Sequence, residues 1–118
     1  VYEFSRNICK GCNMKTDIKT VSEKSALNII KNNPNVVIIH SSDGCGVCQQ
    51  FIPNVLDPIA KAWPNVKFKM IKEKLTFPVA SHPVTYFFKN GNCIMHPAGG
   101  APDDAVRKMM ESLYGKPI

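Results

Sequence analysis

Apolar residues recur along this chain at two spacings, and the alternation between them predicts an α/β order. Val36-Val37-Ile38-Ile39 is a continuous apolar run of strand length, β-branched throughout. It predicts a central strand over Val36 to His40, covered on both faces. Helical spacing appears on either side of it. Ala26, Leu27, Ile29 and Ile30 predict a buried helix face that stops at Asn32-Asn33-Pro34, and a short strand near Ile18 to Val21 precedes it. Thr20 with Glu23 has the spacing of a capping box, and Ser22 is a rival N-cap. Phe51, Ile52, Val55, Leu56 and Ile59 predict a second helix from near Cys45 toward Trp63. Pro53 and Pro58 each remove a backbone donor from it and predict a kink.

The second half reads the same way. Val66 to Ile71 alternates with lysines on one face, as a strand does, while Lys72 to Ala80 has room for one short helix. Val84 to Phe88 predicts a strand, Asn90-Gly91 a two-residue hairpin turn, and Cys93 to His96 the return strand. Gly99-Gly100 breaks the chain. Pro102 suits a first helical position, and Asp103 and Asp104 suit a positive helix start. Ala105, Val106, Met109, Met110 and Leu113 form the stripe of a last helix that Gly115 ends. The order is β-α-β-α-β-(α)-β-β-α, an α/β sheet ending in a hairpin and a helix. Residues 1–17 are polar and irregular and read as an N-terminal extension; 18–118 read as the domain.

Composition narrows the classes. A chain of 118 residues suits a single core, and 44% hydrophobic with 20% charged residues is ordinary for a soluble globular protein. No apolar run approaches the ~18 residues of a membrane span. The net charge of +6 raises nucleic acid as a partner. The lysines, however, are spread out and not interleaved with aromatic residues, so no nucleic-acid partner is expected. The charge reads as solubility or attraction to acidic protein partners.

Five cysteines fall as Cys9/Cys12, Cys45/Cys48 and a lone Cys93. A chain that builds a core does not need stapling, so they point to chemistry or metal. Cys45 and Cys48 lie on one face of the first helical turn. The first meets the outward-pointing N–H groups of the helix start, a field that favours the thiolate, the attacking species in disulfide exchange. The second, one turn inside, is placed to resolve a mixed disulfide. Gly46 lets a substrate chain come close, and Val47 adds neither charge nor donor. Half a zinc site has the same spacing, and Cys9/Cys12 supplies another half, so zinc bound by Cys9, Cys12, Cys45 and Cys48 is the rival chemistry. A buried strand leading into an amphipathic helix favours redox. Cys9/Cys12 also reads as an auxiliary redox pair or a local disulfide. Cys93, in an apolar strand, reads as a buried reduced thiol. His40 reads as a packed, hydrogen-bonded residue, His96 as a surface residue, and Trp63 as packing at a helix end.

From about Ile18 to Tyr114 the chain resembles thioredoxin. Cys45-Gly46-Val47-Cys48 is similar to that family's redox motif, and Pro53 falls where the family keeps a helix-kinking proline. Val79-Ala80-Ser81-His82-Pro83-Val84-Thr85-Tyr86-Phe87-Phe88-Lys89-Asn90-Gly91 is similar to the segment holding its cis-proline and the following hairpin. Gly99 or Gly100 matches the glycine before the last helix. The resemblance implies a thioredoxin fold, a central mixed sheet flanked by helices. It implies a thiol–disulfide oxidoreductase with Cys45 as nucleophile and Cys48 as resolving thiol. Gly46, Val47, His82 and a cis Pro83 then line the substrate site, with His82 beside Cys45 and able to favour the thiolate when protonated. The expected partners are protein thiols or disulfides and a redox partner; no organic cofactor or metal is expected, because the cysteines carry the electrons. An adaptor of the same fold without turnover is the other reading. Three positions depart from thioredoxin itself: Gly44 stands where it has tryptophan, Val47 where it has proline, and Ile39 where it has a buried aspartate. The stretch before Pro83 is also shorter. Two cysteine pairs and a start at Val1 tilt the expected location toward an extracytoplasmic, bacterial periplasmic setting.

Overall fold

In the computed structural model, which describes residues 16–42, 44–72 and 82–118, five strands form one mixed sheet. In chain order the elements are β1 (Lys19–Thr20), α1 (Glu23–Asn32), β2 (Asn35–His40), α2 (Gly46–Phe51), a π-helical turn (Ile52–Leu56), α3 (Asp57–Ala62), β3 (Lys67–Ile71), β4 (Val84–Lys89), β5 (Asn92–Met95) and α4 (Asp103–Tyr114). The strand order is β1-β3-β2-β4-β5. β1 and β2 run parallel to β3, and the β2–β4 and β4–β5 pairs are antiparallel. Residues 73–80 of the segment expected to hold a short helix lie outside the described residues, as do Cys9 and Cys12.

β2 lies at the centre because its apolar residues supply both faces of the sheet. Val37 and Ile39 join a core with Leu56, Ile59, Trp63, Val106 and Met110, built by the α2–α3 unit and α4. Val36 and Ile38 join a smaller one with Ala26 and Ile30 of α1. Each buried Val, Ile, Leu or Met side chain among them contributes about 1.5–3 kcal/mol by burial.

Local chemistry sets the boundaries. Ser22 caps α1, accepting from the Ser25 N–H at 3.1 Å, so of the two N-cap candidates serine takes the position. Leu27 departs from the expected buried stripe: it is 58% exposed. A helix turns about 100° per residue, and Ala26 and Ile30 one turn apart fill the contact with the sheet, leaving their neighbour facing outward. The kink expected at the prolines takes the form of a wider turn. Pro53 has no N–H to give, and the Asp57 N–H bonds Ile52 O, one residue beyond the α-helical partner. Asn90 (φ 54°) and Gly91 (φ 85°) both occupy the left-handed region, as a type I′ hairpin turn requires.

Two tertiary ties close the far end. Trp63, buried at the end of α3, donates its indole N–H to Gly115 O at 2.8 Å, and the Tyr114 hydroxyl donates to Phe88 O at 2.8 Å. At the other terminus the Thr16 hydroxyl donates to Asp57 Oδ1 at 2.6 Å and the Asp17 N–H to Oδ2 at 3.2 Å, anchoring the chain just before β1.

Cys93 corrects the sequence reading. It is exposed, not buried. It pairs with Phe88 on β5, an edge strand, and α1 packs over β2 and β3 instead. An apolar run is read as covered, but coverage at an edge depends on how far the helices reach.

Candidate functional site

The candidate site forms where β2 ends. The β2–β3 ladder runs one bond past His40, with the Ser41 N–H on Ile71 O at 2.9 Å, and the chain then turns through Gly44 at φ +86°. That backbone conformation costs a side-chain-bearing residue roughly 1–2 kcal/mol. Glycine here lets the chain reverse into a helix without strain. Cys45 is the N-cap of α2 in extended conformation, its N–H on Ser42 O at 3.3 Å.

Cys45 and Cys48 are joined in a disulfide, their Cα atoms 5.3 Å apart. The Cys45 sulfur also acts as the capping acceptor, taking the Cys48 N–H at 3.1 Å. An otherwise unpaired donor of the helix start is thus aimed at the sulfur that would carry charge after reduction. The two sulfurs sit in unlike surroundings. Cys45 is half-buried, whereas Cys48 is 0% exposed and packs in the core with Ile39 and Phe51. Between them Val47 presents an apolar side chain to solvent, 52% exposed.

The loop before β4 is tied to the segment that precedes α4. The His82–Pro83 peptide bond is cis, and Pro83 is fully buried. The Gly99 N–H donates to Pro83 O at 2.7 Å, the Thr85 N–H donates to Pro97 O at 3.1 Å, and Val84 bridges Ala98. Gly100 presses on the redox helix: a Cβ there would lie 3.2 Å from a Val47 methyl carbon and 3.5 Å from the Phe51 ring. Gly99 and Gly100 thus link the loop before β4 to the helix that carries the cysteine pair. From sequence the glycine pair reads as a chain break and as a match to the family's glycine before the last helix. Its part in the site was signalled by two adjacent glycines in an otherwise ordinary loop, the mark of a close backbone approach.

His82 differs from the expectation. Its ring lies against that of His40, centroids 4.6 Å apart and planes tilted by 59°. Burial, and then the neighbouring His40, lower its pKa from the ordinary 6.5. The surroundings therefore disfavour the imidazolium that was expected to support a thiolate. His40 is buried, as expected, at the end of the central strand. Among the described residues no group of three or more His, Cys, Asp or Glu side chains is arranged to hold a metal ion, and no helix is long and apolar enough to cross a membrane.

No family model and no curated protein matches the sequence. Solved structures do. Thioredoxin f2 of Chlamydomonas reinhardtii is 14% identical, with 83% of this chain and 97% of that one aligned at a TM-score of 0.72. Mitochondrial thioredoxin 3 of Saccharomyces cerevisiae, in its oxidised form, is 25% identical over 81% of this chain and 95% of that one, at 0.68. A structure from work on the thiol-resolving mechanism of the yeast mitochondrial 1-Cys peroxiredoxin, via the glutathione and thioredoxin systems, is 25% identical. It covers 86% of this chain and 100% of its own, at 0.73. A sheet and helix order shared at so low an identity, with a bonded Cys-x-x-Cys pair opening the helix after the central strand, makes this chain a divergent thioredoxin-fold protein.

Proposed function

We propose that this protein is a thiol–disulfide oxidoreductase that exchanges disulfides with protein substrates through Cys45 and Cys48. The observation that carries the reading is the asymmetry of the bonded pair: Cys45 is reachable and caps the helix, and Cys48 is sealed behind it. In the reduced protein, Cys45 attacks a substrate disulfide as the thiolate, and one substrate sulfur leaves with the bonding electrons. Cys48 then attacks Cys45, releasing the second substrate sulfur and re-forming the bond present in the structure. Run backward, the same steps oxidise a substrate dithiol. In this reading Gly46, Val47, Pro83 and the Gly99-Gly100 loop serve as the rim that receives an extended substrate backbone, with Gly99 hydrogen-bonded to Pro83 and Gly100 set close to Val47. His82, kept neutral, borders that rim as a hydrogen-bonding group. Cys9/Cys12 remains an auxiliary pair in this reading.

The test is trapping. Cys48→Ser should accumulate mixed disulfides with a peptide disulfide, and Cys45→Ser should neither trap nor turn over in an insulin-reduction assay. Trapping by Cys45→Ser would reverse the roles; trapping by neither would remove the exchange activity.

A further inference from the structure

Disulfide exchange by this pair needs a proton to leave the core. This inference rests on the proposed exchange activity. In the resolving step Cys48 must lose its proton before it attacks Cys45. The Cys48–Cys45 bond forms, the Cys45–substrate bond breaks, and the substrate sulfur leaves with the electron pair. Cys48 is 0% exposed, and apolar surroundings make a thiol hold its proton. A neighbouring group has to receive that proton.

Among the described residues the buried polar side chains are His40, Ser41 and Thr85. His40 lines a cleft with Ile38, Ala26 and Ile30, on the α1 face of the sheet, away from the core that holds Cys48. Thr85 stands on the other face. It is the direct cross-strand partner of Ile39, and direct partners project to the same side. Ile39 shares its core with Cys48 and Phe51. Thr85 is 3% exposed, and its hydroxyl has no hydrogen-bond partner among the described residues. With Phe51 and the loop from Pro97 to Ala101 it lines a cavity of about 40 Å3. A water needs about 10–15 Å3 of such space and two to four polar partners, and the Thr85 hydroxyl is one such partner. Ser41 is equally buried and unpartnered but does not line this cavity.

We propose that Thr85 and a water held in this cavity form the proton outlet of Cys48. The Cys48 proton passes to the Thr85 oxygen as the hydroxyl proton passes to the water. It leaves beneath the 97–101 loop, and the departing substrate thiolate takes up a proton from solvent. Thr85 is thus the proton-transfer residue of the second chemical step and has no part in the first.

The experiment follows the two steps separately by mixing reduced protein with a peptide disulfide. Attack by Cys45 is measured in the Cys48→Ser background, and resolution is measured as peptide release with both cysteines present. Thr85→Val should slow resolution roughly a hundredfold and leave attack within about twofold, the lower end of the loss expected for a proton-transfer group. Thr85→Ser, which keeps the hydroxyl, should restore the rate. Thr85→Ala repeats the test with the cavity left open, and melting scans establish that each variant is folded. Resolution at the wild-type rate in both valine and alanine variants overturns the proposal. So does an equal loss in both steps, or failure of serine to rescue. Absence of trapping by Cys48→Ser would instead remove the exchange reading itself.

Discussion

Reduction of the Cys45–Cys48 bond should lower the melting temperature of this protein by about 5 °C, and the sign of that change predicts the direction in which electrons flow. The bond joins residues three apart, a loop of four counting both cysteines. Cross-linking so short a loop still removes denatured-state entropy equivalent to about 1.9 kcal/mol at 25 °C. The opposing contribution is the charge that reduction creates. As a thiolate at the helix start, Cys45 accepts the Cys48 N–H with the helix dipole behind it. Partial exposure to solvent holds that gain to about 0.3–1 kcal/mol. The oxidised form should therefore be the more stable by about 0.9–1.6 kcal/mol. At an unfolding entropy of about 2.1 cal/mol/K per residue over 118 residues, this corresponds to about 4–6 °C. By linkage the couple of the folded protein lies about 20–35 mV below that of the unfolded chain, which favours use as a reductant. The assay is a melting scan of oxidised and dithiol-reduced protein, with Cys9, Cys12 and Cys93 changed to serine so that a single couple responds. A reduced form melting at or above the oxidised one would refute the reasoning. It would mean that thiolate stabilisation outweighs the loop constraint and that the protein is an oxidant.

Other consequences are directly measurable. Trp63→Phe removes the indole N–H bonded to Gly115 O and part of a fully buried ring, and should destabilise by about 2–3 kcal/mol in a denaturant titration followed by circular dichroism; a loss under about 0.5 kcal/mol would show that the C-terminal tie contributes nothing. Because the folded protein lowers the pKa of His82, the unfolded chain takes up that proton first as pH falls. The stability that neutral His82 contributes is complete above about pH 6.5 and is lost as pH drops through its folded value. His82→Gln should flatten the slope of melting temperature against pH below that point, and parallel slopes for the two proteins would contradict the assigned environment. Cys93 should react with a maleimide in the folded protein without a preceding opening step, its rate rising with pH later than that of an ordinary thiol because burial raises its pKa. A labelling rate that tracks global unfolding would place that side chain inside.

What the sequence determined by itself was the order of elements and the chemistry of the redox pair. Both are local properties. The β-branched run of β2, the Ser22 and Gly115 helix boundaries, the Asn90-Gly91 turn and the spacing of Cys45 and Cys48 act within a few residues, through backbone sterics and side-chain period. Tertiary structure alone decided how deeply each group lies and what approaches it. Leu27 and Cys93 belong to apolar patterns yet face solvent, Leu27 because Ala26 and Ile30 take the sheet-facing side of α1 and Cys93 because the helices cover only part of the sheet. Gly99 and Gly100 joined the site through a hydrogen bond to Pro83 and a contact with Val47, partners about 16 and 53 residues away in the chain. His82 became a histidine held neutral, not a cation, because β2 brings His40 to the same end of the sheet as the loop before β4. Thr85 reads in sequence as one more strand residue. Its pairing with Ile39 puts its hydroxyl on the face that the cysteine helix covers. Burial, electrostatic environment and long-range approach depend on strand register and helix coverage, which no single segment of the chain specifies.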